Sequence, residues 1–276
     1  MSLRLALALV LALCLRAVPA LAQDVWILGE VHDNPAHHAE QAARVAAIQP
    51  RALVFEMLTP EQAARVTPEL IADPDAMAGA LGWAAAGWPD FSMYHPIFAA
   101  APGAAIYGAH VPREAARAVL EHGPAAYFGE GAAAYGLTEP LPPEEQAARE
   151  ALQRAAHCDA LPKDVLPGMV AVQRLRDAVL ARATITAWAE TGGPVVVITG
   201  NGHARRDRGV PAYLARAAPD LEVFVLGQTE DGAPLPGGFD EVLSAPAVAR
   251  PDPCAALPRA GRARAVRPLA SVGPRG

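Results

Sequence analysis

Along most of the chain, short runs of consecutive apolar residues alternate with longer stretches in which apolar positions return every three or four residues. Short apolar runs bounded by turn formers read as strands buried on both faces, and their alternation with helical stretches is the pattern of a parallel sheet flanked by helices. The predicted strands are Val25–Gly29, Ala52–Phe55, Ala104–Tyr107, Val195–Thr199 and Glu222–Leu226, with a weaker edge strand at Asp240–Leu243. The expected fold class is α/β: a three-layer α/β/α arrangement around a mostly parallel central sheet. The first helix is predicted to start at Pro35 after a capping Asn34 or Asp33 and to end before Pro50, with Ala36, Ala39, Ala43, Ala46 and Ala47 at helical spacing.

Between Thr59 and Pro102 the helical pattern is broken by Pro, Gly and aromatic residues. Aromatic residues make up only 5% of the chain, so the concentration of Trp83, Trp88, Phe91, Tyr94 and Phe98 predicts a helical layer over one end of the sheet. Core packing accounts for those rings as well as a ligand wall does. Two long helical stretches from Pro142 to Gly192 exceed what a simple crossover needs and predict a helical insertion spanning about residues 112–192. From about residue 246 to 276 the sequence turns Pro- and Arg-rich, with Arg259, Arg262, Arg264, Arg267 and Arg275, and reads as an extended, poorly ordered tail after a domain covering 23–245. No internal repeat, GxGxxG, P-loop, HExxH or GxSxG pattern is present, which removes nucleotide binding, zincin proteolysis and serine-elbow chemistry as leading functions.

The first 22 residues change the picture. Arg4 precedes an apolar run from Leu5 to Leu15, and Ala20-Leu21-Ala22 is a small-x-small site, so a signal peptide cleaved before Gln23 and a periplasmic destination are expected. The apolar run is about half of the roughly 20 residues a spanning helix needs. Cys14 follows Leu13 rather than a small residue, which argues against a lipid anchor. Loss of Arg4 and Arg16 takes the formal charge from −6 to −8, so nucleic acid is not an expected partner. Cys158 and Cys254 would then meet an oxidising compartment and read as a disulfide, with two buried free thiols as the alternative.

Ligands of parallel α/β sheets bind outside the carboxyl ends of the strands, so polar residues that end apolar runs carry the functional signal. Three runs end that way: one in Gly29-Glu30-Val31-His32, one in Glu56, and one in Gly200-Asn201-Gly202-His203. Alternation puts Glu30 and His32 on one side if the strand stays extended. Glu30, His32, Glu56 and His203 together suit a divalent metal or general acid/base work. The plainer account is that the two glutamates pair with basic neighbours and hold the strand ends. His110 ends the third strand and is a further candidate. One of His37 and His38 is expected to face the site and the other water; His95 divides evenly between packing and site, and His122 and His157 read as helix-end or surface residues.

The strings Leu28–His38 (LGEVHDNPAHH) and Gly200–Asp207 (GNGHARRD), followed by Gly209-Val210-Pro211, resemble the ChaN-like haem-binding uptake proteins, which group with the Tiki and erythromycin-esterase-like proteins. The resemblance continues through Val54–Met57, Gly87–Asp90, Tyr94, Pro96-Ile97, Leu161-Pro162, Pro167–Met169, Arg176-Asp177 and Asp252–Cys254, covering about residues 25–255. It departs at His110, where Asn is expected, and at Arg208, where an aromatic is expected. The resemblance implies the α/β/α fold and a haem-handling role in the bacterial envelope.

Haem needs an axial donor, an apolar slot and cations for its propionates. Local composition makes Tyr94 the first axial candidate, with His203, His32, His95 and His110 competing and Arg113, Arg205 and Arg206 as propionate partners. A homodimer, an outer-membrane haem receptor or an envelope transporter are the partners such a role would call on. The alternative is a metal-dependent hydrolase with Zn²⁺ or Mn²⁺ at Glu30, His32, Glu56 and His203. A non-catalytic envelope module would use neither ligand.

Overall fold

The computed structural model describes residues 23–252 and 254–255. The signal-like segment with Cys14 and the tail arginines from Arg259 onward lie outside the described residues.

Each apolar run forms a strand where expected: β1 (Val25–Glu30), β2 (Ala52–Phe55), β3 (Ala105–Gly108), β4 (Val195–Gly200), β5 (Val223–Glu230) and β6 (Glu241–Ala245). They pair in parallel throughout, in the order β3-β2-β4-β1-β5-β6. After β1 come α1 (Pro35–Ile48) and, beyond β2, the short helices α2 (Pro60–Ala63), α3 (Pro68–Ile71), α4 (Pro74–Leu81) and α5 (Trp83–Ala86), then α6 (Phe91–Ala99). Between β3 and β4 lie α7 (Arg113–His122), α8 (Pro124–Phe128), α9 (Pro143–Ala156) and the long α10 (Leu166–Thr191); α11 (Asn201–Ala204) and α12 (Val210–Ala217) follow β4.

The two-residue period of the strands sorts the core into two halves. Trp26, Leu28, Leu53, Phe55, Val196, Ile198 and Leu226 face a first layer that includes Val45 of α1 and Tyr94, Ile97 and Phe98 of α6, and Phe55 stacks on Phe98 with ring centroids 4.1 Å apart. Val25, Ile27, Val54, Val195, Val197 and Val225 face a second layer with Leu175, Ala178 and Ala181 of α10. The stretch read as a helical insertion therefore supplies the second layer, with α10 running against β2, β3 and β4.

β4 enters between β1 and β2. The chain leaves β1 toward the β2–β3 side and leaves β4 toward the β5–β6 side, so the carboxyl ends of β1 and β4 form a topological switch point, where ligands of such sheets bind.

Two expectations are corrected. In α1 the alanines at helical spacing face solvent, and the buried residues are His37, His38, Gln41 and Val45. The reason is backbone satisfaction: at the carboxyl edge of the sheet, backbone groups without ladder partners need donors and acceptors that alanine lacks. The Gln41 amide donates to the Leu28 carbonyl at 2.9 Å, and His37 accepts from the Val31 N–H at 3.0 Å while its Nε2 meets the Thr229 carbonyl at 3.2 Å. Asn34 caps α1 as expected, accepting from the Ala36 N–H. The start of the tail, second, is fastened. Asn34 donates to the Pro246 carbonyl, Arg250 grips Asp33 and Glu230 at 2.6–2.7 Å, and Cys254 is bonded to Cys158 with Cα atoms 5.5 Å apart.

Candidate functional site

Glu30 is the last residue of β1, and alternation turns it toward the first layer. Its Oε1 accepts from the Tyr94 hydroxyl at 2.8 Å and from Nδ1 of His32 at 2.7 Å. Its Oε2 lies 3.3 Å from Nδ1 of His38, whose Nε2 donates to the His32 carbonyl at 2.8 Å. Glu30, His38 and Tyr94 are all buried, with the Tyr94 ring against His38 and Trp83. Both neighbouring histidines of α1 thus point inward, one toward Glu30 and one onto the edge of the sheet.

Glu56 follows β2 one residue out of phase with Glu30 and faces the second layer. Its Oε2 accepts from the Thr199 hydroxyl at 2.6 Å and from the Gly200 N–H at 2.8 Å. Its Oε1 is 3.4 Å from Nε2 of His203, and the other nitrogen of that ring meets Asp177 at 2.6 Å. Gln173, one helical turn before Asp177 on α10, lays its amide 3.1 Å from Nδ1 of His203.

His32 joins the two clusters. While Nδ1 is bonded to Glu30, its Nε2 lies 3.9 Å from Glu56 Oε1. The ring rests on Gly200, where a β-carbon would come within 2.8 Å of Nε2, so a side chain there would displace the imidazole. Burial works against a charge on His32, but the bond to Glu30 and the nearby carboxylates of Glu56, Glu30 and Asp33 raise it to about 9. Burial likewise opposes the charge on Glu56, yet His203, His32 and the bonds from Thr199 and Gly200 hold its carboxyl down at about 2. Glu56 is a carboxylate and His32 an imidazolium at neutral pH.

The His203–Asp177 pair holds its proton tightly from both sides. Burial disfavours the imidazolium, but Glu56 and Asp177 raise His203 above the ordinary value; burial pushes the Asp177 carboxyl up despite the pull of His203.

The open side of the site is aromatic. The His32 side chain is 34% exposed, and its ring lies 5.2 Å from that of Trp88, which in turn meets His110 edge-on at 5.7 Å. Burial and the charge of Arg176 lower His110 below the usual imidazole value, which favours the neutral ring with a free lone pair. Trp88 also walls an open groove of about 460 Å³ lined with Trp83, Ala84, Ala85, Pro89 and Phe91.

The residues predicted from sequence divide clearly. Glu30, His32, Glu56 and His203 converge, and His110 stands at the mouth beside Trp88. Tyr94 is fully buried and donates to Glu30, while burial and that carboxylate push its phenol well above the usual range. It therefore offers no phenolate at the surface, contrary to the expectation of an anionic axial donor. His95 is set apart, bonded to the Ile71 carbonyl at 2.8 Å. Arg205 is paired with Asp207 and Arg206 with Asp240, whereas Arg113 is exposed at the start of α7, three residues after His110. Among the described residues no group of three or more His, Cys, Asp and Glu side chains is arranged to hold a metal. Of the donors proposed for Zn²⁺ or Mn²⁺, Glu30 Oε1, His32 Nδ1 and Glu56 Oε2 are taken by hydrogen bonds within the protein.

Sequence reasoning did not assign roles to Asp177 and Gln173. Their only local signal is a Gln and an Asp four residues apart on one helix. It left His38 as more often solvated, because adjacent histidines in a first helical turn carry no sign of which way they face.

The sequence profile described as "haem-binding uptake, Tiki superfamily, ChaN" matches residues 18–214. No curated protein matches the chain. Among solved structures, "Cofacial heme binding to ChaN of Campylobacter jejuni" is similar over 85% of this chain and 89% of that one, with 17% identity and a TM-score of 0.59, a likeness of fold. A type III effector, HopBA1, aligns over 81% of this chain and 88% of its own at 13% identity and a TM-score of 0.44. With the profile spanning well over half the sequence, the chain belongs to the ChaN family of haem-binding uptake proteins in the Tiki superfamily.

Proposed function

We propose that this protein binds haem at the aromatic mouth of the switch-point crevice and handles it as cargo in haem or iron uptake. The observation that carries the reading is the apolar groove of about 460 Å³ walled by Trp83, Trp88 and Phe91, which adjoins two imidazoles through the shared Trp88 ring. A porphyrin face needs such an apolar wall, and its iron needs a donor with a free lone pair. His110 meets that need because its neutral form is favoured and it is partly exposed; His32 would first have to give up the Nε2 proton of its imidazolium. Arg113 and Arg176, near the same strand end, are the cations for the propionates.

Family membership supports the reading, and the leader-like residues 1–22 together with the Cys158–Cys254 bond support export to an oxidising compartment such as the periplasm. A transport role would then require a donor or acceptor of haem, such as an outer-membrane receptor or an envelope transporter, and leaves room for a homodimer. Metal-dependent hydrolysis gains no support from the geometry, since among the described residues no three donors are grouped to hold a metal.

The test is titration of the purified protein with ferric haem while the Soret band is recorded. A saturable shift is expected, weakened roughly tenfold or more in Trp88→Ala and changed in position in His110→Ala. No saturable shift would return the protein to a non-catalytic module, and a spectrum unmoved by His110→Ala would remove that residue as the donor.

A further inference from the structure

A second cavity, on the second-layer side of the sheet, approaches the Asp177–His203 pair from behind. It encloses about 140 Å³ and is lined by Gln173, Asp177 and Gly202 together with three arginines: Arg149, Arg205 and Arg208. Two of those cations are already neutralised. Arg149 gives both Nε and Nη2 to Glu145, and Arg205 grips Asp207 through Nε and Nη2 at 2.7 and 2.5 Å. Asp177, the only acid lining the cavity, is bonded to His203.

Arg208 differs. Among the described residues it makes no ion pair; burial works against its charge, as do Arg205 and Arg149, while Asp207 and Asp177, each bonded to another partner, favour it. A guanidinium held among like charges in a partly enclosed cavity, with the nearby acids engaged elsewhere, is an arrangement completed by an anion. The cavity also abuts a larger one of about 410 Å³ that shares Arg149 and Arg208 and adds Arg174, Arg216, Tyr135 and Tyr213, giving room for the remainder of a larger molecule.

We propose that the Arg149–Arg205–Arg208 cavity is an oxyanion-binding site, taking a phosphate or a carboxylate, either free or at the end of a longer ligand lying in the adjoining cavity. The site is distinct from the Trp88 groove and does not depend on haem binding there. Arg208 is the bidentate contact, and Arg149 and Arg205, each held by its own carboxylate, form the wall around it.

The experiment is calorimetric and thermal-melting titration of the purified protein with inorganic phosphate and, separately, acetate, against chloride at matched ionic strength. The expected result is saturable phosphate or acetate binding that Arg208→Gln weakens roughly tenfold or more, that Arg208→Lys restores only in part, and that the exposed Arg117→Gln leaves unchanged. A repeat of the haem titration in the presence of phosphate identifies the source: independence would mean a separate small anion, whereas competition would mean that a haem propionate enters this cavity and would overturn its separation from the Trp88 groove. An absence of saturable binding of either anion, or binding equal in Arg208→Gln and the parent, overturns the proposal. Because Arg208 makes no ion pair among the described residues, the melting temperature of the anion-free variant is expected to match the parent and so separates lost binding from lost folding.

Discussion

Two clusters of the same residue types sit side by side at the carboxyl end of the sheet, and they live in different surroundings. Glu30 with His32, His38 and Tyr94 belongs to the first layer and opens through His32 to an aromatic mouth; Glu56 with Thr199, His203 and Asp177 belongs to the second and is closed. The difference follows from phase. Both glutamates end strands, but the strand period of two sends one to each face. An imidazolium beside solvent can change partners or give up its proton to a ligand, whereas His203, buried between Glu56 and Asp177, is fixed in geometry. The comparison assigns ligand exchange to the first cluster and scaffolding to the second.

The strongest way to break that comparison is to remove Asp177. In the closed cluster, Asp177→Ala leaves His203 buried without the partner of its Nδ1, and a loss of about 3–5 kcal/mol in stability is expected from denaturant unfolding. Haem affinity of the surviving folded fraction should be little changed. A loss below about 1 kcal/mol, within the range of an exposed ion pair, would mean that the second cluster is not the sealed scaffold described.

A sharper test acts on the bridge. Gly200→Ala places a methyl group 2.8 Å from Nε2 of His32, and the one-third-exposed ring is expected to swing outward, away from Glu30 and Glu56. Proton NMR titration should then find the His32 value falling from about 9 toward the ordinary 6.5. An unchanged value would show that Glu30 alone sets the charge.

The pH dependence of stability separates the two clusters again. His32 is raised in the folded state, so its contribution is full below 6.5 and is lost as pH rises from there through about 9. Allowing for solvent screening of a side chain one-third exposed, the alkaline loss is about 1–2 kcal/mol. Glu56 is depressed, so its contribution is full above 4.5 and is lost as pH falls toward about 2. Glu56→Gln should flatten the acid limb, and His32→Gln the alkaline one, in unfolding curves recorded from pH 3 to 10.

How much of this was legible in the sequence depends on which force decided each feature. The strands, the α/β class and the convergence of Glu30, His32, Glu56 and His203 were legible because apolar runs and the polar residues ending them are local signals. The facing of α1 was not, because its buried stripe is chosen by unpaired carbonyls and N–H groups of distant strands, with the His37 ring reaching Thr229 and the Gln41 amide reaching Leu28. Asp177 was illegible as a site residue for the same reason: its partner His203 is brought to it by the packing of α10 against the sheet. The burial of Tyr94 was not legible because aromatic company is common to a ligand wall and to a core.

Tyr94→Phe has the smallest expected effect and bears directly on the role of that ring. The hydroxyl gives Glu30 one of its two hydrogen bonds at Oε1, and His32 provides the other. Removing a neutral donor to a buried carboxylate that keeps a charged one should cost about 1–2 kcal/mol, because the Phe ring fills the same space against His38 and Trp83. If Tyr94 serves only Glu30, the ferric Soret band of the haem complex should be unchanged while unfolding shifts by that amount. A displaced Soret band with unchanged stability would mean instead that haem binding draws the Tyr94 oxygen out of the core, and the open and closed halves of the site would then exchange roles on ligand entry.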